Sequence, residues 1–155
     1  MKKVNKSVVF SIFFILVFAA AVFLIASMLY LSNQLRKFKV DTFVLCNEAD
    51  ICVAESSEGR YRVASDNLMA INALLSSTTG SFTVKDPKEE DRIELSFTHD
   101  KEEWHMTIIK AEGNKLGIQL DGARNYKFYL KENKKFAELK KAVSKDGYNT
   151  SNKPF

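Results

Sequence analysis

The chain has 155 residues, 46% hydrophobic and 27% charged, with a formal net charge of +4. That charge is unevenly placed: six of the 23 basic residues flank one apolar run, leaving 17 against 19 acidic residues in 40–155. A nucleic-acid-binding domain carries a basic excess that displaces phosphate counterions, and this balance argues against that class.

The apolar run extends from Val8 to Leu31, and no charge falls between Lys6 and Arg36. About 20 apolar residues at 1.5 Å per residue cross a hydrocarbon core roughly 30 Å thick, so the run is long enough for a transmembrane helix over 8–31. A cleaved signal peptide would share the basic start of Lys2, Lys3 and Lys6, but its apolar region is only about 7–15 residues long. Here Ala19, Ala20 and Ala21 lie in mid-run, and cleavage after Ser27 would place Ile25 where a small residue is needed. No cysteine stands near the end of the run to accept a lipid. The expectation is an uncleaved anchor that meets membrane lipid through residues 8–31.

Three lysines precede the span and Arg36, Lys37 and Lys39 follow it, so the positive-inside count is tied. A short basic start before a long apolar run favours a signal-anchor. Residues 1–7 are then a short cytoplasmic tail and residues 32–39 a basic juxtamembrane stalk. The stalk leads to an extracytoplasmic domain over 40–147, with 148–155 as a disordered tail. The corresponding localisation is the cell membrane, single-pass, with the N-terminus cytoplasmic.

In the domain, Val40–Cys46 reads as a strand and Ile51–Ala54 as its partner, joined by the turn-like Asn47-Glu48-Ala49-Asp50. Arg60–Ala64 is a short strand. Ser65 or Asp66 is placed to cap a helix that runs to Ser76, with Leu68, Ile71, Leu74 and Leu75 on one stripe. The period then changes to two. After a short strand at Ser81–Val84, four segments alternate: Arg92–Thr98, Trp104–Lys110, Leu116–Leu120 and Tyr126–Leu130. Short turns join them, which predicts an antiparallel meander with one buried face. A last helix, from Lys131 or Asn133 to Lys145, carries Phe136, Leu139, Ala142 and Val143 as its apolar stripe. The expected fold is one N-terminal transmembrane helix plus a small α+β domain, an antiparallel β-meander with two amphipathic helices.

Few residues carry chemistry. Cys46 and Cys52 are the only cysteines, and the proposed hairpin would set them facing each other as a candidate disulfide. Two free thiols, or a redox or metal pair, are the alternatives. His99 and His105 lie in His-Asp-Lys-Glu-Glu-Trp-His, which offers metal or acid–base donors. The same segment has the composition of a solvated hairpin turn, and His105 is out of phase with Trp104, Met106 and Ile108. Trp104 shares that apolar face and is assigned to the core. Tyr61, Ile109 and Tyr129 fall out of phase with their strands' core faces and are a candidate interaction surface, unless the helices cover them. The lysine-rich face of the last helix is read as solvated, with anionic headgroups or an acidic partner as the alternative.

There is no nucleophile elbow, phosphate-binding glycine loop, zinc-hydrolase helix motif or dinucleotide fingerprint. No catalytic, cofactor-binding or metal residue is therefore assigned, and no cofactor is expected. The expectation is a membrane-anchored, non-catalytic, extracytoplasmic protein-binding or assembly module with a protein partner and no nucleic acid. An inhibitor or immunity-type protein is the alternative, and a hydrolase using the His99–His105 segment is the third.

Overall fold

The computed structural model describes residues 6–81, 86–131 and 134–155. Its first element is a single α-helix, α1, at Lys6–Glu48, 43 residues long. No proline or glycine interrupts it, and a helix once nucleated propagates at low cost. Its N-terminal half is exposed and apolar, with Phe10 and Tyr30 each about two-thirds accessible. By length and composition it is the one helix among the described residues able to cross a membrane, a property that a signal sequence near an N-terminus shares.

The C-terminal half of α1 corrects one expectation: Val40–Cys46 is helix, continuous with residues 32–39. The β-branched Val40, Thr42 and Val44 favour a strand locally. Tertiary packing overrides that preference: Phe38, Leu45 and Cys46 are buried, with Leu31 and Leu35 packed against the same core. These positions recur at helical spacing and form one stripe.

The chain then forms β1 (Ile51–Ser56), β2 (Gly59–Arg62), α2 (Ser65–Ser76) and β3 (Gly80–Ser81). These are followed by β4 (Glu89–His99), β5 (Glu102–Ala111), β6 (Lys115–Asp121), β7 (Tyr126–Lys131), α3 (Lys135–Val143) and β8 (Lys153–Pro154). The eight strands form one antiparallel sheet in the order β3-β7-β6-β5-β4-β1-β2-β8. Of the strand expected at Ser81–Val84, residues 82–84 lie outside the described residues, as do residues 132 and 133 at the expected start of the last helix.

The alternation read in the sequence becomes register. Ala54, Leu95, Met106, Leu120 and Tyr126 stand in one row across β1, β4, β5, β6 and β7. Ile93, Ile108, Ile118 and Phe128 form the next row. All are buried beneath Phe38 and Leu45 of α1, Ile71 and Leu75 of α2, and Phe136 and Leu139 of α3. Three helices, rather than two, thus contribute to the covered face.

Two local expectations also change. The N-cap of α2 is Ala64, which makes no side-chain cap, although Asp66 stands in the first turn. The tail 148–155 is ordered. Asn67, fully buried, donates to Thr150 O at 2.6 Å and to Asn152 Oδ1 at 2.8 Å. Its own oxygen accepts from the Tyr148 and Asn149 amides. Asn152 donates to the Ala142 and Ser144 carbonyls. Polar composition suggested disorder, but these two side chains satisfy the buried backbone groups that an ordered tail creates.

Candidate functional site

The outward-facing residues of the same strands form the uncovered face of the sheet. One row holds Arg92, Ile109, Gly117 and Tyr129, and the next holds Glu94, Thr107, Gln119 and Lys127. Ile109 and Tyr129 are half-buried and meet over Gly117. A Cβ on Gly117 would lie 3.1 Å from the Tyr129 ring and 3.3 Å from Ile109 Cβ. The glycine lets the aromatic ring lie flat across the sheet and cover the gap.

The Tyr129 hydroxyl donates to Asp86 Oδ1 at 3.1 Å, and Lys127 Nζ stands 3.6 Å from Asp86 Oδ2. Burial, then the Asp86 carboxylate, pushes the Tyr129 phenol above its ordinary value. Beside this cluster, a groove of about 580 Å³ separates Asp86, Lys127 and Tyr129 from Phe23, Ser27 and Tyr30 of α1.

Tyr61 does not join this patch. It stands directly opposite Ala54, whose row faces the core, so it lies on the other side of the sheet near the β2 edge. Its hydroxyl donates to Glu58 O at 3.2 Å. The surface expected from Tyr61, Ile109 and Tyr129 therefore reduces to Ile109 and Tyr129.

His99 and His105 are not brought together either. Asp100 and Lys101, both with positive φ, make the two-residue turn between β4 and β5, the geometry that suits the twist of a hairpin. His105 lies opposite Ser96 on the uncovered face, with its Nδ1 3.1 Å from Ser96 Oγ. His99 is in phase with Phe97 on the covered face, and its Nδ1 is 3.2 Å from Glu48 O at the end of α1. Among the described residues no group of three or more His, Cys, Asp or Glu is placed to hold a metal ion.

Cys46 and Cys52 are free thiols, both buried. They are not hairpin partners, because Cys46 is in the last turns of α1, whereas Cys52 is in β1 opposite Phe97. The short connection from α1 to β1 keeps them in one core cluster. Burial pushes the Cys46 thiol up to about 12. The Cys52 thiol is raised by burial and then by its neighbour Cys46. Both are protonated near neutral pH, and a protonated thiol is a poor nucleophile and a poor metal ligand.

Trp104 faces the core, with Gly122 against its indole. A Cβ on Gly122 would lie 2.3 Å from the ring. The polar cluster at Asp41 went unread in the sequence because Asp41 fell inside an expected strand. Asp41 accepts a hydrogen bond from Tyr126 and pairs with Arg124 Nη1 at 3.3 Å.

The outer face of α1 is the remaining feature. Val40 and Phe43 are 56% and 54% exposed, on the side of the helix opposite Phe38 and Leu45. Arg36 and Lys37 are exposed beside them and have no ion-pair partner among the described residues.

Comparison with known proteins finds no matching family model, curated protein or solved structure.

Proposed function

We propose that the chain is a membrane-anchored, non-catalytic module that holds its α+β domain outside the cytoplasm to bind another protein during assembly. The observation that carries this reading is the continuity of α1. One helix is lipid-compatible over its first half and part of the domain core over its second. An anchor built this way holds the domain rigidly at the membrane rather than on a loose stalk. Confinement to two dimensions raises the effective concentration of a weak binder.

The separated histidines and the protonated thiols favour binding over catalysis. The uncovered sheet face, with Ile109 and Tyr129 at its centre, and the outer face of α1 are the surfaces available to a partner. The test is crosslinking of tagged full-length protein in native membranes, followed by affinity purification. A stoichiometric envelope partner is the expected result. Recovery of the chain alone, together with protection of cells against an incoming toxin or hydrolase when it is expressed by itself, would replace the assembly reading with an inhibitor.

A further inference from the structure

The groove of about 580 Å³ between α1 and the β7 side of the domain has the size of a small-ligand site. Among the described residues its two walls differ in kind. On one side stand Phe23, Ala26 and Tyr30, all from the apolar run of α1 and all exposed. On the other stand Asp86, Lys127 and Tyr129 of the domain.

The length of the apolar run sets the height of the groove. From Val8 to Leu31 the helix rises about 36 Å, against a hydrocarbon core of roughly 30 Å. Counted from Val8, about 20 residues fill that core, and the hydrocarbon ends near Ser27. Phe23 and Ala26 then lie below the boundary. Tyr30 lies above it, in the headgroup layer that tyrosine favours, and its hydroxyl accepts a hydrogen bond from Gln34 Nε2 at 2.8 Å. The groove is therefore open to acyl chains at its floor and to headgroups at its mouth. Water against Phe23 and Ala26 would be costly, whereas lipid already surrounds them.

The charges at the mouth select the headgroup. Lys127 Nζ stands 3.6 Å from Asp86 Oδ2, with both side chains about two-thirds exposed. The Tyr129 hydroxyl donates to Asp86 Oδ1 at 3.1 Å and orients the carboxylate. An exposed pair of this kind is weak. It leaves N–H groups on the lysine and lone pairs on the carboxylate for a further partner. A phosphate suits the lysine and a primary ammonium suits the carboxylate. An ethanolamine headgroup carries both, one short linker apart. A choline headgroup has no N–H to donate, and a glycerol headgroup has no cation.

We propose that this groove binds a phospholipid of the phosphatidylethanolamine class, with its phosphate on Lys127, its ammonium on Asp86 and an acyl chain against Phe23 and Ala26. The site rests on the anchor in the proposed function and is independent of the protein partner.

The experiment reconstitutes the full-length chain in vesicles of equal phosphatidylethanolamine, phosphatidylglycerol and phosphatidylcholine. The protein is released in mild detergent, and its retained lipid is read by native mass spectrometry. Phosphatidylethanolamine should be enriched about threefold to tenfold over the other two. Asp86→Asn should abolish the preference for ethanolamine over choline. Lys127→Gln should lower total retained phospholipid, because all three lipids share the phosphate. Both side chains are exposed, so neither change empties the core. Glu102→Gln, at the far end of β5, is the control and should change neither readout. Equal retention of the three lipids overturns the proposal, as does a preference that survives Asp86→Asn or a retention indifferent to Lys127→Gln. A second copy of the chain in place of lipid, in a complex that Lys127→Gln dissociates, overturns it as well. Alkaline carbonate extraction of native membranes separates the two failures. A chain released by carbonate refutes the anchor and the lipid site with it, whereas a retained chain without the lipid preference refutes only the site.

Discussion

The phenol of Tyr126 donates a 2.5 Å hydrogen bond to the Asp41 carboxylate, joining the C-terminal half of α1 to β7. Asp41 is buried and also faces Arg124. Tyr126→Phe removes the donor and leaves the carboxylate under-satisfied, so it should destabilise the fold by about 1.5–3 kcal/mol. Chemical unfolding of the full chain in detergent measures this. The coupling between Tyr126→Phe and Asp41→Asn in a double-mutant cycle separates the bond from the loss of either group alone.

The same pair predicts a pH dependence. Burial, then the Asp41 hydrogen bond, raises the Tyr126 phenol above its ordinary value of 10.0. A raised acid favours its neutral form in the folded state. Its contribution is fully present below the unfolded value near 10 and is lost as pH rises through the higher folded value. Ultraviolet titration should find Tyr126 and Tyr129 ionising later than an exposed tyrosine, and Tyr126→Phe should remove part of that late phase.

The thiols make a further prediction. With Cys46 pushed up to about 12, its alkylation in the reduced, folded protein at pH 8 should be roughly a thousandfold slower than that of a free cysteine, and Cys52, raised by burial as well, should also be slowed. Both should react at once on denaturation. Denatured protein that was never reduced decides the disulfide expectation, because an oxidised pair titrates no thiol and a free pair titrates two.

The ordered tail rests on Asn67 and Asn152. Asn67→Ala strips partners from the Tyr148 and Asn149 amides and the Thr150 carbonyl. Leaving these groups unpaired should cost roughly 2–4 kcal/mol. Gly147 has φ +66°, and a Cβ there would lie 1.9 Å from Thr150 O. Gly147→Ala should therefore loosen the same segment. Limited proteolysis reads both variants, with earlier cutting beyond residue 147 as the expected outcome.

The strands β4 to β7 were legible because one face is buried and the other solvated, so side-chain alternation carries the signal. The end of α1 was not legible in the same way. Val40, Thr42, Val44 and Cys46 alternate like a strand, whereas the stripe that decides the matter, Leu31, Leu35, Phe38 and Leu45, straddles the apparent boundary of the apolar run. The tail was missed for a different reason. Its order comes from two buried asparagine side chains, which leave no hydrophobic pattern to read. Of the expected surface, Ile109 and Tyr129 followed from strand phase. Tyr61 depended on the phase of a four-residue strand, too short to settle its own face.

The most direct test of the central claim is labelling of Glu103→Cys with a membrane-impermeant maleimide on intact cells, read on full-length protein in the carbonate-washed membrane pellet. Glu103 is exposed and the native thiols are buried, so the label reports one site. An external domain on an uncleaved anchor predicts labelled, full-length protein in the pellet. Labelling only after lysis, or a labelled fragment released without its apolar segment, would contradict it.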